Sequence, residues 1–551
     1  MTRLHLDMLA LASLQLSLAS GCSVEVVDSL AGAQASLDGE SLDAEALGDD
    51  LGEGSDERGQ GEGRDEGDTD DEGPSVPLFD VGGSLPQISS CQFAAQFPSH
   101  LGCEFYGVDL DQPGLFDYDP YGFVVINPLE EPVEVELSRH SGLGWVPIAV
   151  ISIPGEDEHV FMPQDNQVYG TGTFPAAVFR ISSDQPVVAI QASPAVGEGH
   201  SSSATMLQPA SAWTQHALVA GWRTHEGVGE RSFLSVIGRN LGTPLTLGLS
   251  FGVEGLGDSD WVWAEDESSV QLSLDPGELA RLDALAIDAE IDHGISGTTV
   301  ESGQEHPLAV FSAHTCASIP DWDDSCGHMQ EQLVSRFLGR RFVAPRMVSV
   351  IDPDVGVIFE NTMVQVVAAE DDTEIRFIRD DDVELESVII DPDEPYAVSQ
   401  SSHDLAVIAD KPILVSAYMT NGTLTGLGSA SMVQLAPVEE WIGEHWVWVP
   451  AGYSSQLLIT SSSAASLVVE QVDTLDALGG EPNPDPVDVG VPTTVVAEGL
   501  GSRELARVWV GPGIYRVRSG SPATVIVAGW RAGDGFAYLG GWGSLLTEPA
   551  G

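Results

Sequence analysis

Phe123-Val-Val-Ile-Asn-Pro-Leu-Glu-Glu-Pro-Val-Glu-Val-Glu-Leu137 reads as a strand, a polar turn and a second strand. The pattern returns as Phe233-Leu-Ser-Val-Ile-Gly-Arg-Asn-Leu-Gly-Thr-Pro-Leu-Thr-Leu247 and as Met363-Val-Gln-Val-Val-Ala-Ala-Glu-Asp-Asp-Thr-Glu-Ile-Arg-Phe377. Gln456-Leu-Leu-Ile-Thr-Ser-Ser-Ser-Ala-Ala-Ser-Leu-Val-Val-Glu470 is the fourth copy. Each copy is followed by a second signature, a polar turn with proline and then an apolar strand. The four instances are Ser183-Asp-Gln-Pro-Val-Val-Ala-Ile190, His306-Pro-Leu-Ala-Val-Phe311, Asp410-Lys-Pro-Ile-Leu-Val415 and Ser521-Pro-Ala-Thr-Val-Ile526. The linkers also echo one another: Ser203 to Trp213 resembles Ser429 to Trp441. A unit that cannot cover its apolar side alone recurs because its copies bury one another.

The body therefore reads as all-β, built of four tandem antiparallel β-sandwich-like repeats spanning 78–200, 201–318, 319–425 and 426–551. A row of sandwiches is the first expectation. A closed β-propeller with two blades per repeat is the alternative. Two stretches suggest helix instead: 277–292, where Leu279, Leu282, Ala286 and Ile287 share a helical face, and Gln330 to Leu338.

Upstream of the body the texture differs. Arg3 and the mainly apolar run Leu4 to Leu18 precede Ala19-Ser20-Gly21-Cys22, which resembles a bacterial lipobox. The expectation is a signal peptide over 1–21 and lipid on Cys22, each buried CH₂ of that lipid contributing about 0.8 kcal/mol. The segment 22–77 is Asp, Glu, Gly and Ser with few large apolar residues, so it reads as a disordered linker. About 55 such residues span roughly 40–45 Å as a flexible coil. The expected location is the cell envelope, at the outer membrane or cell surface, with Ser23 after the cysteine adding a small weight against retention at the inner membrane. No later run has the length and apolarity of a membrane-spanning helix.

Charge and cysteines narrow the class further. The chain carries 85 acidic against 21 basic residues, net −64. Phosphate backbones and anionic headgroups repel such a chain, which excludes nucleic acid and leaves the membrane reachable only through the anchor. Among the basic residues Lys411 is the single lysine, placed by sequence in an exposed turn. Besides Cys22, four cysteines form two close pairs, Cys91 with Cys103 and Cys316 with Cys326. In an exported protein these read as disulfides, each contributing about 2–3 kcal/mol.

Several segments resemble the IgGFc-binding protein N-terminal domain family: Cys91 with Gly102-Cys-Glu-Phe-Tyr106, the proline signatures above, Cys326-Gly-His-Met-Gln-Glu-Gln-Leu333, Ser431-Met-Val-Gln-Leu-Ala-Pro437 and Gly540-Gly541. The resemblance runs from about Cys91 to the end. It implies an extracellular, β-rich, non-catalytic module. With lipobox and acidic tether, the whole resembles myxobacterial-type surface lipoproteins. The family's name comes from animal mucus proteins, and antibody binding is not expected to transfer.

Residues that carry chemistry give little. There is no zinc-protease, nucleophile-elbow or phosphate-loop motif, and no cofactor is expected. His314, Cys316, Cys326 and His328 have the residue types of a zinc site, but export favours the disulfide and no metal is assigned. Asp109, Asp111, Asp117 and Asp119, or Asp321, Asp323 and Asp324, offer oxygen ligands for calcium without a full loop pattern. Trp261 with Trp263, and Trp446 with Trp448, alternate along strands and suit either sugar stacking or a core, with core favoured. The resulting expectation is a lipid-anchored surface binding or adhesion protein for an unknown extracellular protein or glycan. The alternatives are a hydrolase of glycans or proteins, and a structural envelope component.

Overall fold

The computed structural model describes residues 90–543 apart from 113–119, 165, 196–200, 225–230, 254–261, 264–267, 286–293, 321–325, 353–355, 401–402, 423, 473–486 and 498. All of them belong to the compact unit Phe79–Gly551. The export signal 1–21, Cys22 and the acidic linker 22–77 lie outside the described residues, as do Asp117, Asp119, Trp261, Asp321, Asp323 and Asp324. One six-residue helix, Cys91–Gln96, capped by the Ser90 hydroxyl, is the longest helical piece described; the rest is strand, turn and loop. No described helix is long and apolar enough to cross a membrane.

The two repeated signatures are parts of one device. In the first repeat, Gly122–Asn127 and Val133–His140 do not pair with each other. Both pair with one long strand, Val178–Ser193. Val124 faces Ile190 on its C-terminal half, and Leu137 faces Ile181 on its N-terminal half. The long strand thus serves two sheets, and the polar turn between the short strands arches from one sheet to the other. The crossing falls at Asp184-Gln185-Pro186. Proline has no N–H to donate, so a ladder tolerates it where pairing changes partners. The same switch separates Ala409 from Ile413 around Pro412, and Arg518 from Ala523 around Pro522. In the second repeat the long strand is interrupted there, running Thr299–Ser302 and then Leu308–Ala317 around Pro307.

Burial follows this layering. The first strand of each arch is buried on both faces, as in Gly122–Asn127, Ser232–Gly238 and Thr362–Ala368. The second strand alternates, as in Val133–His140 and Thr373–Arg379. A strand buried on both sides needs partners beyond its own repeat, and four hydrophobic clusters supply them. Phe123 and Val125 pack with Phe233 and Phe311 of the second repeat. Val124 and Ile126 pack with Trp446 and Trp448 of the fourth. The other two clusters join Leu234 to Met363, and Val364 to Leu458. Every cluster is shared between neighbours.

The four repeats are consequently not laid in a row; they close into a ring. An inner strand follows each long strand, Ser203–Met206, Gly327–Leu333, Ser431–Gln434 or Asp534–Leu539, and pairs antiparallel with it. Neighbouring inner strands meet through side chain to backbone hydrogen bonds. Gln332 N–H donates to the Thr205 hydroxyl at 3.0 Å, and Gln434 N–H to Glu331 Oε1 at 3.2 Å. Ala537 N–H donates to the Ser431 hydroxyl at 2.9 Å, and Ser202 N–H to Asp534 Oδ1 at 2.8 Å. The seam is completed where His100 N–H donates to the Trp542 carbonyl at 3.0 Å.

The two helical expectations are corrected. Gly327–Leu333 is a fully buried strand, and the short helix expected from Gln330 does not form. Leu279–Asp283 is likewise a buried strand; Ala286 and Ile287 are outside the described residues. In both places buried ladder pairing overrides residues of good helix propensity.

Candidate binding pocket and exposed edges

The structure contains the disulfides Cys91–Cys103 and Cys316–Cys326. The second removes both thiolates from the zinc arrangement. Its histidines turn to the backbone: His314 Nδ1 accepts from Cys316 N–H, His314 Nε2 lies 3.1 Å from the Arg223 carbonyl, and His328 Nδ1 lies 3.2 Å from the His314 carbonyl. Burial lowers the pKa of His328 to about 4, which keeps it neutral. Asp109 and Asp111 do not converge on a cation site: Asp109 Oδ2 accepts the Asn166 N–H, and Asp111 pairs with the buried Arg281 at 3.1 Å. Trp446 and Trp448 are core residues. Lys411 lies within the long strand Leu405–Met419 at its crossing, not in a turn before a strand, and donates to the Asp372 carbonyl at 2.9 Å.

The most buried charges are committed to structure. Asp404 Oδ1 accepts from Arg507 at 2.6 Å and from the Arg346 N–H at 2.9 Å, tying the third repeat to the fourth. Both guanidiniums lie over the Phe359 ring, at 4.8 and 3.7 Å. Arg281 forms a two-point contact with Asp283 and stacks on Phe233 at 3.8 Å. The Glu360 carboxylate holds Leu424 and Thr425 through their N–H groups. Asp380, Asp381 and His403 place ligand atoms within 4.8 Å of one another. A cation there would have to displace Arg379 from Asp381 and compete for His403 Nδ1, which is 2.6 Å from Asp380.

Two surface features remain, and neither was foreseen from sequence. The first is a pocket of about 500 Å³ between the strand Gly339–Ala344 and the 3-10 turn Val438–Glu440. Arg336, Arg340, Arg341, Glu439 and Glu440 bring charge to it; Leu338, Ile408, Pro412 and Pro437 form apolar walls. Arg341 donates to Glu439 Oε1 at 2.9 and 2.6 Å, and Arg336 lies 3.7 Å from Glu440. Burial raises the pKa of Glu440 against the pull of Arg336, and Glu439 adds to the rise. Its sequence signal was three arginines within six residues, 336–341, in a chain with 85 acids.

The second feature is the free edge of the first repeat. Among the described residues, Trp145–Ile153 pairs only with Val133–His140. It turns Val146, Ile148 and Val150 outward, 51%, 48% and 54% exposed. The matching edge of the third repeat, Glu384–Ile390, exposes Leu385 and Ile389. An apolar edge strand presents unpaired backbone groups and side chains at once, which is the surface an added strand or an extended ligand uses.

No curated protein matches the chain. Among solved structures, the BSP domain of a biofilm associated protein aligns at 7% identity with TM-score 0.12, over 85% of this chain and 98% of that one. The native conformation of E. coli alpha-2-macroglobulin aligns at 10% identity with TM-score 0.13, over 83% and 40%. A tetra-tandem repeat from the extending region of a large adhesion protein aligns at 8% identity with TM-score 0.09, over 80% and 98%. Scores this low carry no argument about fold or function. The family model described as IgGFc binding protein matches residues 203–529, from the inner strand Ser203–Met206 into the long strand Gly513–Arg531. That span is more than half of the chain, and the protein belongs to the IgGFc binding protein family.

Proposed function

We propose that this chain is a lipid-anchored, non-catalytic binding protein of the cell envelope that presents its β body to an extracellular protein or glycan. Family membership supports binding as the general role. The family description names antibody Fc; only the property of binding an extracellular partner is carried over. The observation that carries the reading is the unpaired edge Trp145–Ile153 with its three outward aliphatic side chains. In a chain of net charge −64, a solvated apolar stripe on a free edge stands out as a contact surface. Asp404, held by Arg346 and Arg507, ties the third repeat to the fourth, a structural use of buried charge that fits a non-catalytic reading.

The test uses the full chain as a soluble Cys22→Ser protein, incubated with a native envelope preparation and a glycan array. Ile148→Lys combined with Val150→Lys places charge on the exposed stripe without touching the core. Retention is expected to fall roughly ten-fold, as when an apolar anchor worth more than 1 kcal/mol is lost. Unchanged retention would remove this edge as the contact.

A further inference from the structure

We propose that the arginine-lined pocket beside Gly339–Ala344 binds the carboxylate of an acidic saccharide, with Arg340 as its anchoring residue. The proposal rests on the binding reading and names a ligand class for a second surface of the same body. Three arginines and two glutamates line the pocket. Glu439 is occupied by Arg341 and Glu440 lies beside Arg336, whereas Arg340 is exposed and has no partner among the described residues. A planar carboxylate matches the guanidinium fork, and a free arginine can accept it with two parallel hydrogen bonds.

The walls indicate the rest of the ligand. Leu338, Ile408, Pro412 and Pro437 offer apolar surface next to the charge, suited to the C–H face of a sugar ring. The rear of the pocket is firmly held: a Cβ on Gly339 would come within 2.3 Å of Pro437 Cβ, so strand and turn touch there. The volume of about 500 Å³ is that of a small-molecule site. A protein partner would need on the order of 800 Å² on each side, and a large acidic partner would bring its charge against a chain of net charge −64. A small molecule with one acidic group meets the arginines at much lower repulsive cost.

Calorimetric titration of the full Cys22→Ser chain with a glucuronate disaccharide tests this. Methyl glucoside serves as the neutral sugar, acetate as the bare carboxylate and a blocked aspartyl peptide as the peptide acid. The disaccharide is expected to bind more tightly than all three, and to weaken as salt rises. Arg340→Ala should weaken it roughly ten-fold or more, the loss of a charge-assisted pair, while Arg340→Lys retains part of the affinity. Because Arg340 is exposed, thermal melts of these variants should match the parent. No binding of the disaccharide, equal binding by Arg340→Ala, or equal binding of acetate or the aspartyl peptide would each overturn the proposal. Envelope retention through Ile148 and Val150 is read separately, so either reading can fail alone.

Discussion

Replacing Glu331 by glutamine should make the ring more stable at alkaline pH and less stable at acid pH. Glu331 stands on the inner strand Gly327–Leu333, fully buried where three repeats meet. Its Oε1 accepts the Gln434 N–H at 3.2 Å, and its Oε2 is buried without a partner. Burial raises its pKa from 4.5 to about 8, against the opposing hydrogen bonds from Gln434 and Thr205. Below pH 4.5 the folded and unfolded chains both hold the proton, and the group contributes nothing to the pH dependence. Between 4.5 and 8 only the unfolded chain releases it, so stability falls as pH rises, levelling off above 8. At about 1.4 kcal/mol per pKa unit, the accumulated loss is about 5 kcal/mol. Glutamine keeps the acceptor for Gln434 and cannot ionise, but it buries an amide N–H₂ where Oε2 had no partner, costing about 1–3 kcal/mol at every pH. The variant should therefore unfold at lower urea than the parent near pH 4.5 and at higher urea near pH 8.5, with the curves crossing between. Tryptophan fluorescence during urea titration across that range measures it. A difference between the two proteins that does not change with pH would refute the assignment.

Asp404→Asn should destabilise by about 3–5 kcal/mol at pH 7, because Arg346 and Arg507 would remain buried without their counter-ion. Burial alone would raise the Asp404 pKa; Arg507 and then Arg346 outweigh it and hold the carboxyl below its ordinary value. Its contribution is therefore present above the ordinary carboxylate value and is lost as pH falls below that value through the lower folded one; an unchanged urea midpoint at pH 7 would contradict this. Cys22→Ser should move the protein from the membrane pellet to the soluble fraction, and unaltered partitioning would dismiss the lipid anchor.

Strand-rich texture and four-fold recurrence were legible because alternating and β-branched runs have a local cause. Closure was not, since it depends on which strand lies against which. The segment at Phe123 reads as a hairpin when taken alone. Only the long strand Val178–Ser193, changing sheets at Pro186, shows that its halves belong to different layers. Its continuous apolar run, Phe123 to Ile126, did carry a hint: burial on both faces requires a neighbour on each side. Gln330, Glu331 and Gln332 misled as helix formers because their amides and carboxyl serve adjacent strands, a role with no sequence periodicity. The pocket was overlooked for a different reason. Three nearby arginines match no catalytic pattern; they are informative only against the scarcity of positive charge elsewhere.

Sharing every hydrophobic cluster between neighbours has an evolutionary corollary. Duplication can lengthen an open solenoid one module at a time, because each intermediate still covers its interior. Here a three-membered fragment would leave Val124 and Ile126, or their counterparts, facing water. The body is thus constrained to be gained, lost and degraded whole, and sequence drift should concentrate on the solvent side of the second arch strands, where no neighbour restricts it.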